Sequence, residues 1–448
     1  MTTRLHFRPR DHWMNDPNGF VYFGGQYHLF YQYFPYDTQW GTMHWGHKTS
    51  KNLVHWEDQG VALYPSRDFD RNGCFSGSAI EMDGAMYLYY TSIVYDSMNP
   101  RNIHVSGSGL TASQSLLISE DGKTFDSDRK QMLLPPFSDQ GPGSRGDTRD
   151  PKVWREGDVY YMVLGNRQQE QGNLLLYQSP DGITWQYASA ICDERIHSAT
   201  WECPDIFAID GQYFLTMSPI GLVDDGVNYA NAAVWTTLDF DAGNGTGEIT
   251  SEPHWMDYGQ DAYAAQSTLD AQGDRVMVAW LRMPLPAEEG FIGMLTLPRR
   301  VRQQDGRLRF GIHPGVDAVF TDALEHARAQ ELLRQKEPLK ISMDLTEQAK
   351  ISLGGYQIAM EQGRLVTDRS AVFVDGDAEL FHERTPVGRV FTTPSLAEGR
   401  HIDVYVDGNA IEIYVNGDEY VLSNIVYGLG RDIRLEGVDH VRYYGAVL

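Results

Sequence analysis

Three acidic residues stand in short motifs that could support hydrolytic chemistry. Asp16 lies in WMNDPNG (residues 13–19), Asp150 in RDP and Glu202 in WECPD. Carboxyl groups that lie close together can act as nucleophile, general acid and general base in the cleavage of a bond. Each motif also has a plainer interpretation, because Asn-Asp-Pro-Asn-Gly is ordinary turn chemistry and Arg-Asp is a common surface pair. The chemical interpretation therefore requires a fold that brings the three motifs together.

A repeated pair of elements indicates such a fold. The β-rich runs GGQYHLFYQ, GAMYLYYTS, GDVYYMVLG, GQYFLTMS and DRVMVAWL recur at intervals of roughly 50 to 75 residues. A second element, made of Ser, an Asx-type turn and an aromatic residue, lies between several of them, at 50–56, 119–125 and 179–185. Repeats of this size are typical of propeller blades, so five repeats predict a five-bladed β-propeller with the acidic motifs on separate blades. An up-and-down barrel is the alternative, but it would not repeat both elements.

The pattern changes after the repeats. Residues 316–336 are rich in Ala, Leu, Glu, Arg and Gln, and their apolar positions fit helical spacing. After Pro338, alternating runs return with hairpin-like Asp-Gly and Asn-Gly pairs between some of them. The prediction is an all-β chain: a five-bladed β-propeller catalytic domain over residues 1–305, a linker with a short helix over 306–336, and a β-sandwich over 337–448.

The composition excludes several classes of partner. Lys and Arg number 37 against 61 Asp and Glu, a formal net charge of −24, so nucleic acid and anionic membranes are poor partners. We find no run of about 18 apolar residues and no signal-peptide pattern, so a cytoplasmic location is expected, with a secreted mature form as the alternative. The three cysteines fall in no metal-ligand spacing, so neither a disulfide framework nor a metal site is expected.

Seven motifs occur in the order seen in glycoside hydrolase family 32, which the whole chain resembles. They are WMNDPNG (13–19), FYQ (30–32), WG (40–41), FSGS (75–78), RDP (149–151), ECPD (202–205) and YAAQ (263–266). The family comprises invertases, fructan exo-hydrolases and sucrose-6-phosphate hydrolases. The resemblance implies a five-bladed propeller followed by a β-sandwich, in agreement with the repeat count, and it implies no metal or organic cofactor.

The resemblance also implies a role for each of the three carboxylates. Asp16 would be the nucleophile that attacks the anomeric carbon of a β-linked fructosyl unit, and Glu202 the acid/base that protonates the leaving oxygen. Asp150 would stabilise the transition state by holding fructose hydroxyls. We expect Asn15 and nearby backbone N–H groups to donate to Asp16 and to lower its pKa, so that it stays ionised.

The resemblance implies further pocket residues, at positions that match the family's motifs, and side-chain chemistry supports Asn15 and Arg149 as hydrogen-bond donors. The predicted substrate-binding residues are Asn15, Gln32, Trp40, Phe75, Ser76, Arg149 and Tyr263. Plain core packing is the alternative for the aromatic side chains of Trp40 and Phe75. The Gly/Ser-rich stretch 93–109 is expected to be a loop at the site mouth that shapes leaving-group selectivity, or else a surface loop without such a role.

The expected function is hydrolysis of terminal β-D-fructofuranosyl units from sucrose and short fructo-oligosaccharides. One alternative is hydrolysis of sucrose 6-phosphate, with Arg101 and His104 of the long loop contributing to a phosphate site. A second alternative, of a different class, is a fructan-binding protein without catalysis. The sequence leaves a homo-oligomer open as an assembly state.

Overall fold

The computed structural model describes residues 5–138, 140–374, 388–396 and 399–448. The first five sheets of this almost entirely β chain follow one another in sequence as the blades of a propeller, and a nine-stranded C-terminal sheet folds into a sandwich. Across these residues no helix is long and apolar enough to cross a membrane.

Blades 1 to 3 are antiparallel meanders of four strands. Blade 1 contains β1 (His12–Phe23), β2 (Gln26–Phe34), β3 (His44–Ser50) and β4 (Glu57–Leu63). Blade 2 contains β5 (Gly73–Met82), β6 (Ala85–Tyr95), β7 (Leu110–Ser119) and, after a 3₁₀ turn at Ser127–Arg129, β8 (Gln131–Leu134). Blade 3 contains β9 (Arg149–Glu156), β10 (Val159–Gln168), β11 (Gln171–Ser179) and β12 (Gln186–Ile191).

Blades 4 and 5 carry additional short strands. Blade 4 contains β13 (Thr200–Ile209), β14 (Gln212–Asp224), β15 (Val227–Asn231), β16 (Val234–Asp241), β17 (Thr246–Ile249) and β18 (His254–Trp255). Blade 5 and its insertion contain β19 (Ala262–Leu269), β20 (Arg275–Leu281), β21 (Phe291–Ile292), β22 (Met294–Leu295), β23 (Arg299–Gln304) and β24 (Arg307–Ile312). Strand β21 pairs in parallel with β1, so the last blade is hydrogen-bonded to the first.

The structure confirms the five-bladed propeller and explains the repeated elements. The five β-rich runs form the second strands of the blades, β2, β6, β10, β14 and β20. The Ser/Asx/aromatic elements are the turns between the third and fourth strands of blades 1 to 3. In each of these turns Asn52, Asp121 or Asp181 accepts hydrogen bonds from the backbone N–H groups two and three residues later, which fixes the turn.

The segment between the domains differs from its prediction in two ways. It contains two helices, α1 (Pro314–Asp317) and α2 (His326–Gln335), with the short strand β25 (Asp322–Leu324) between them. The predicted propeller limit at residue 305 falls in the turn between β23 and β24, and β24 pairs with β23, so blade 5 continues to Ile312. Asp305 and Gly306 both have positive φ and form an Asp-Gly hairpin turn within blade 5. The predicted limit was therefore placed at a turn inside the blade and not at the end of the blade.

The C-terminal strands form a β-sandwich. They are β26 (Leu339–Leu353), β27 (Tyr356–Glu361), β28 (Arg364–Asp368), β29 (Val390–Thr392), β30 (His401–Asp407), β31 (Ala410–Val415), β32 (Tyr420–Ile425) and β33 (Ile433–Gly445), with a 3₁₀ turn at Ser370–Val372. Residues 339–344 of β26 lie between β30 and β33, whereas residues 350–353 lie between β27 and β33. The two long strands therefore run through both layers, around an apolar core that also covers one side of α2.

A buried ionic network joins the N-terminal segment, the propeller and the sandwich. The His6 imidazole is hydrogen-bonded to Asp407 and Glu412, each at 2.9 Å, and Arg299 contacts Asp257 at 2.7 Å and Glu412 at 2.9 Å. Burial acts against protonation of His6, but its two carboxylate partners outweigh burial and raise its pKa to about 9. Removing one partner of such a network leaves a buried charge without compensation, which is strongly destabilising.

Candidate active site

The first strands of the five blades, β1, β5, β9, β13 and β19, lie next to one another around the propeller axis. Each has a β-bulge, in which one extra residue interrupts pairing with the second strand. The bulges fall within NDPN, FSGS, RDPK, ECPD and YAAQ, so five of the motifs noted in the sequence occupy related places on five blades. Bulges bend a strand and redirect its side chains, which here converge on one pocket.

All ten predicted site residues line this pocket, whose cavity volume is about 480 Å³. They are Asn15, Asp16, Gln32, Trp40, Phe75, Ser76, Arg149, Asp150, Glu202 and Tyr263. The structure thus brings them together, while their individual catalytic and binding roles stay predictions. The rings of Trp40 and Phe75 pack edge to face at 5.7 Å while also lining the cavity, so packing and pocket formation occur together.

Asp16 accepts hydrogen bonds from three side chains. Ser76 Oγ donates to Asp16 Oδ2 at 2.5 Å, Asn15 Nδ2 donates to Oδ1 at 3.1 Å, and Cys203 Sγ lies 3.7 Å from Oδ2. Burial nevertheless raises the pKa of Asp16 to about 6, and the charge of Glu202 acts in the same direction. The expected donor Asn15 is present, but the expectation of a lowered pKa is wrong because burial outweighs the donors.

Asp150 is held by the same cysteine that contacts Asp16. The Cys203 backbone N–H donates to Asp150 Oδ2 at 3.0 Å, and Cys203 Sγ lies 3.6 Å from that oxygen. Burial and then the charge of Glu202 raise the pKa of Asp150 to about 7, while Arg149 opposes the rise. Asp150 and Cys203 have φ values of 64° and 47°, in the left-handed region that non-glycine residues seldom adopt.

Glu202 is oriented from both sides. Arg149 Nε and Nη2 reach Glu202 Oε1 at 2.8 and 2.7 Å, and the Tyr263 hydroxyl donates to Oε2 at 2.5 Å. Burial acts against the Arg149 charge, but Glu202, Asp150 and Asp147 outweigh it and raise the pKa of Arg149 above its ordinary value. Arg149 is therefore a permanent cation that keeps one carboxylate oxygen in place.

The pocket contains further residues that were absent from the predicted set. They are Asp96, Gly109, Leu110, Gly146, Asp147, Ile220, Asn231, Trp280 and Arg282. Trp280 and Arg282 flank Leu281 at the end of the fifth repeat, just as Gln32 ends the first repeat. Because Gln32 was predicted to line the pocket, the matching position in the fifth repeat could have indicated these two residues. Asn231 comes from the added strand β15, whose position depends on tertiary structure and has no counterpart in the repeat.

The long loop predicted at the pocket mouth does reach the pocket. Strand β6 continues to Tyr95, and β7 begins at Leu110. The connection between these two strands contributes Asp96 and Gly109 to the pocket lining. Arg101 is exposed, and His104 is hydrogen-bonded to Thr42 and stacks on Tyr36. Neither Arg101 nor His104 lines the pocket, so the structure does not bring these two suggested phosphate contacts to the carboxylates.

Comparisons with known proteins agree with this architecture. The Glycosyl hydrolases family 32 N-terminal domain matches residues 6–314, and the Glycosyl hydrolases family 32 C terminal matches residues 339–439. Raffinose invertase of Escherichia coli is 32% identical over 94% of this chain and 89% of its own length, and the sucrose-6-phosphate hydrolase of Escherichia coli is 30% identical over 94% and 88%.

Solved structures extend the comparison to three dimensions. A family 32 β-fructofuranosidase from Bombyx mori superimposes with a TM-score of 0.80 at 25% identity, covering 100% of this chain and 94% of that one. The sucrose-6-phosphate hydrolase of Lactobacillus gasseri, at 22% identity and a TM-score of 0.82 over 99% and 93% of the two chains, shares the fold. The chain therefore belongs to glycosyl hydrolase family 32 and is a glycoside hydrolase.

Proposed function

We propose that this protein is a retaining β-fructofuranosidase that removes terminal β-D-fructofuranosyl units from sucrose and short fructo-oligosaccharides. The observation that carries the proposal is the convergence of Asp16, Asp150 and Glu202 in one pocket, with Asp16 and Glu202 each oriented by separate donors. Its relatives include a raffinose invertase, and raffinose and sucrose both carry a terminal fructosyl unit.

In the proposed reaction Asp16 attacks the anomeric C2 while Glu202 protonates the departing oxygen. The product is a fructosyl ester on Asp16, which water activated by Glu202 then hydrolyses with retention. Asp150 is the acceptor for fructose hydroxyls as positive charge develops at C2. Arg149 and Tyr263 each contact one oxygen of Glu202, which orients the carboxyl group for proton transfer to the leaving oxygen.

The pocket composition favours a neutral sugar over a phosphorylated one. Its acidic lining residues are Asp16, Asp96, Asp147, Asp150 and Glu202, and its cations among the described residues are Arg149 and Arg282. Arg149 is paired with Glu202, and Arg282 donates to Asn231 and to the Gln260 carbonyl. A phosphate would therefore meet several carboxylates and guanidinium groups that already have partners.

Hydrolysis of sucrose 6-phosphate stays the second candidate, because several relatives carry that name. The ratio of kcat/KM on sucrose to that on sucrose 6-phosphate decides between the two. We expect a ratio of 10 or more, and a ratio below 1 would establish the phosphorylated substrate instead. A cytoplasmic location stays a prediction, and the oligomeric state stays open.

Two measurements test the proposed chemistry. Fructose release from sucrose should be abolished in Asp16→Asn, and a wild-type protein that binds fructans but releases nothing would instead be a non-catalytic binding protein. Proton NMR in the first minutes of hydrolysis should detect β-fructofuranose as the first anomer. The α-anomer appearing first would rule out retention and the covalent intermediate.

A further inference from the structure

Gln266 lies on β19 outside the substrate pocket, where its amide joins two other blades. Its Nε2 donates to the Gly77 carbonyl at 2.9 Å and to the Pro17 carbonyl at 3.3 Å. Its Oε1 accepts the Phe20 backbone N–H at 2.8 Å. One side chain of blade 5 therefore satisfies backbone groups of both blade 1 and blade 2, at three points.

The two carbonyl groups that Gln266 binds belong to the residues directly after Asp16 and Ser76. Pro17 directly follows Asp16, and Gly77 directly follows Ser76, the residue whose hydroxyl donates to Asp16 at 2.5 Å. Both residues border bulges, at which the pairing of the first strand with the second strand is irregular. The Gln266 amide therefore holds the backbone directly after both partners of the Ser76–Asp16 hydrogen bond.

The backbone at Gly77 leaves little freedom for another arrangement. A Cβ at this position would lie 2.0 Å from the Tyr89 carbonyl oxygen, so only glycine fits between β5 and β6. The Gly77 N–H donates to Asn18 Oδ1 at 3.3 Å, and the Gly77 carbonyl accepts from Gln266 Nε2 at 2.9 Å. Of these two side-chain hydrogen bonds to Gly77, the one from Gln266 is the shorter.

We propose that Gln266 is a positioning residue, which fixes the hydrogen bond from Ser76 to Asp16 and thereby the reactivity of the nucleophile. The inference rests on the proposed function, in which Asp16 attacks the sugar. Ser76 stabilises the ionised form of Asp16 against the effect of burial. A looser backbone would weaken this bond, misalign Asp16 and favour its protonated form.

Among the described residues, the other groups that act on Asp16 have no hydrogen bond to Gln266. Asp150 and Arg149 share the pocket from β9, Glu202 and the Cys203 thiol face it from β13, and Tyr263 faces it from β19. If Gln266 only joined the blades, its replacement would lower the free energy of unfolding without altering the pH profile of kcat/KM. A positioning residue would alter both catalysis and its pH dependence.

The test compares Gln266→Met with Gln212→Met as a matched control. Gln212 is also a half-buried glutamine in a blade, and its Nε2 donates to the Tyr213 and Leu238 carbonyls at 2.9 and 3.2 Å, away from the pocket. For Gln266→Met we expect kcat on sucrose to fall about 10-fold or more, because small misplacements of reacting groups are costly. KM should change less than about 3-fold, and the acid limb of kcat/KM should move to higher pH.

Gln212→Met should retain the wild-type kcat, KM and pH profile. Equal behaviour of the two variants in kcat and in the pH profile would overturn the proposal. If Gln266→Met does not fold, Gln266→Glu serves in its place, because its carboxylate can accept from Phe20 but cannot donate to Pro17 or Gly77.

A double-mutant cycle with Ser76→Ala tests whether Gln266 acts through Ser76. We expect the double variant to lose little more activity than Ser76→Ala alone, whereas fully additive losses would overturn the proposal. Wild-type protein that releases no fructose from any fructoside would refute the proposed function itself. Active wild-type protein with an unaffected Gln266 variant would refute only the positioning role.

Discussion

Replacing Asp16 with asparagine should stabilise the folded protein at neutral pH while abolishing hydrolysis. Burial raises the pKa of Asp16 to about 6 from the ordinary 3.8, so the folded protein ionises this carboxyl less readily than the unfolded chain does. Since the folded-state pKa is the higher one, ionised Asp16 costs free energy of folding. The cost is small below pH 3.8, grows from 3.8 to 6 and is complete above 6.

The magnitude follows from these two pKa values. At about 1.4 kcal/mol for each pH unit between them, the cost is about 3 kcal/mol at pH 8 and about 0.5 kcal/mol at pH 4. Asparagine is uncharged, but its NH₂ faces one of the donors Ser76 and Asn15, and losing that hydrogen bond costs about 1 kcal/mol at every pH. The variant should thus be more stable by about 2 kcal/mol at pH 8 and less stable by about 0.5 kcal/mol at pH 4.

Thermal unfolding at a series of pH values from 4 to 8 measures this effect. With an unfolding entropy of about 2.1 cal/mol/K per residue, the Tm difference between variant and wild type should rise by about 3 °C from pH 4 to pH 8. Asp68→Asn, at an exposed position, is the control and should show no such rise. A Tm difference that stays constant with pH would refute the claim that Asp16 is ionised at the expense of stability.

Three further predictions concern pH, the acid/base and the domain interface. First, kcat/KM should fall as the pH drops through about 6 to 7, because Asp16 and Asp150, with pKa values of about 6 and 7, lose their charge; full activity at pH 5 would contradict this. Second, Glu202→Ala should slow sucrose hydrolysis by about 10²-fold to 10⁴-fold but spare cleavage of β-D-fructofuranosyl fluoride in azide, since fluoride needs no protonation; equal losses on both substrates would exclude the role. Third, Glu412→Gln should lower the free energy of unfolding in urea by about 3 to 5 kcal/mol, because buried Arg299 loses a charged partner; a change below about 1 kcal/mol would show that the network contributes little.

The sequence predicted the blades because they depend on local patterns, and it predicted the ten pocket residues mainly through motifs that resemble those of glycoside hydrolase family 32. Second strands such as β6 and β10 are continuous β-rich runs, and the turns at Asn52 and Asp121 carry their hydrogen-bonding chemistry in adjacent residues. Burial depends on residues far apart in the chain, so the direction of the pKa shift at Asp16 could not be derived from its neighbours in sequence. For the same reason Asn231, on an added strand, was missed.

The network around His6 can form during synthesis only after Asp407 and Glu412 have been made. His6 precedes Asp16 by ten positions, yet its partners Asp407 and Glu412 follow it by 401 and 406 positions. At about 5 to 20 residues per second, roughly 20 to 80 s separate the first segment from its partners. A chain interrupted after blade 5 would contain every pocket residue. It would lack both carboxylates that bind His6, so the segment before β1 would have no partners for this buried imidazole.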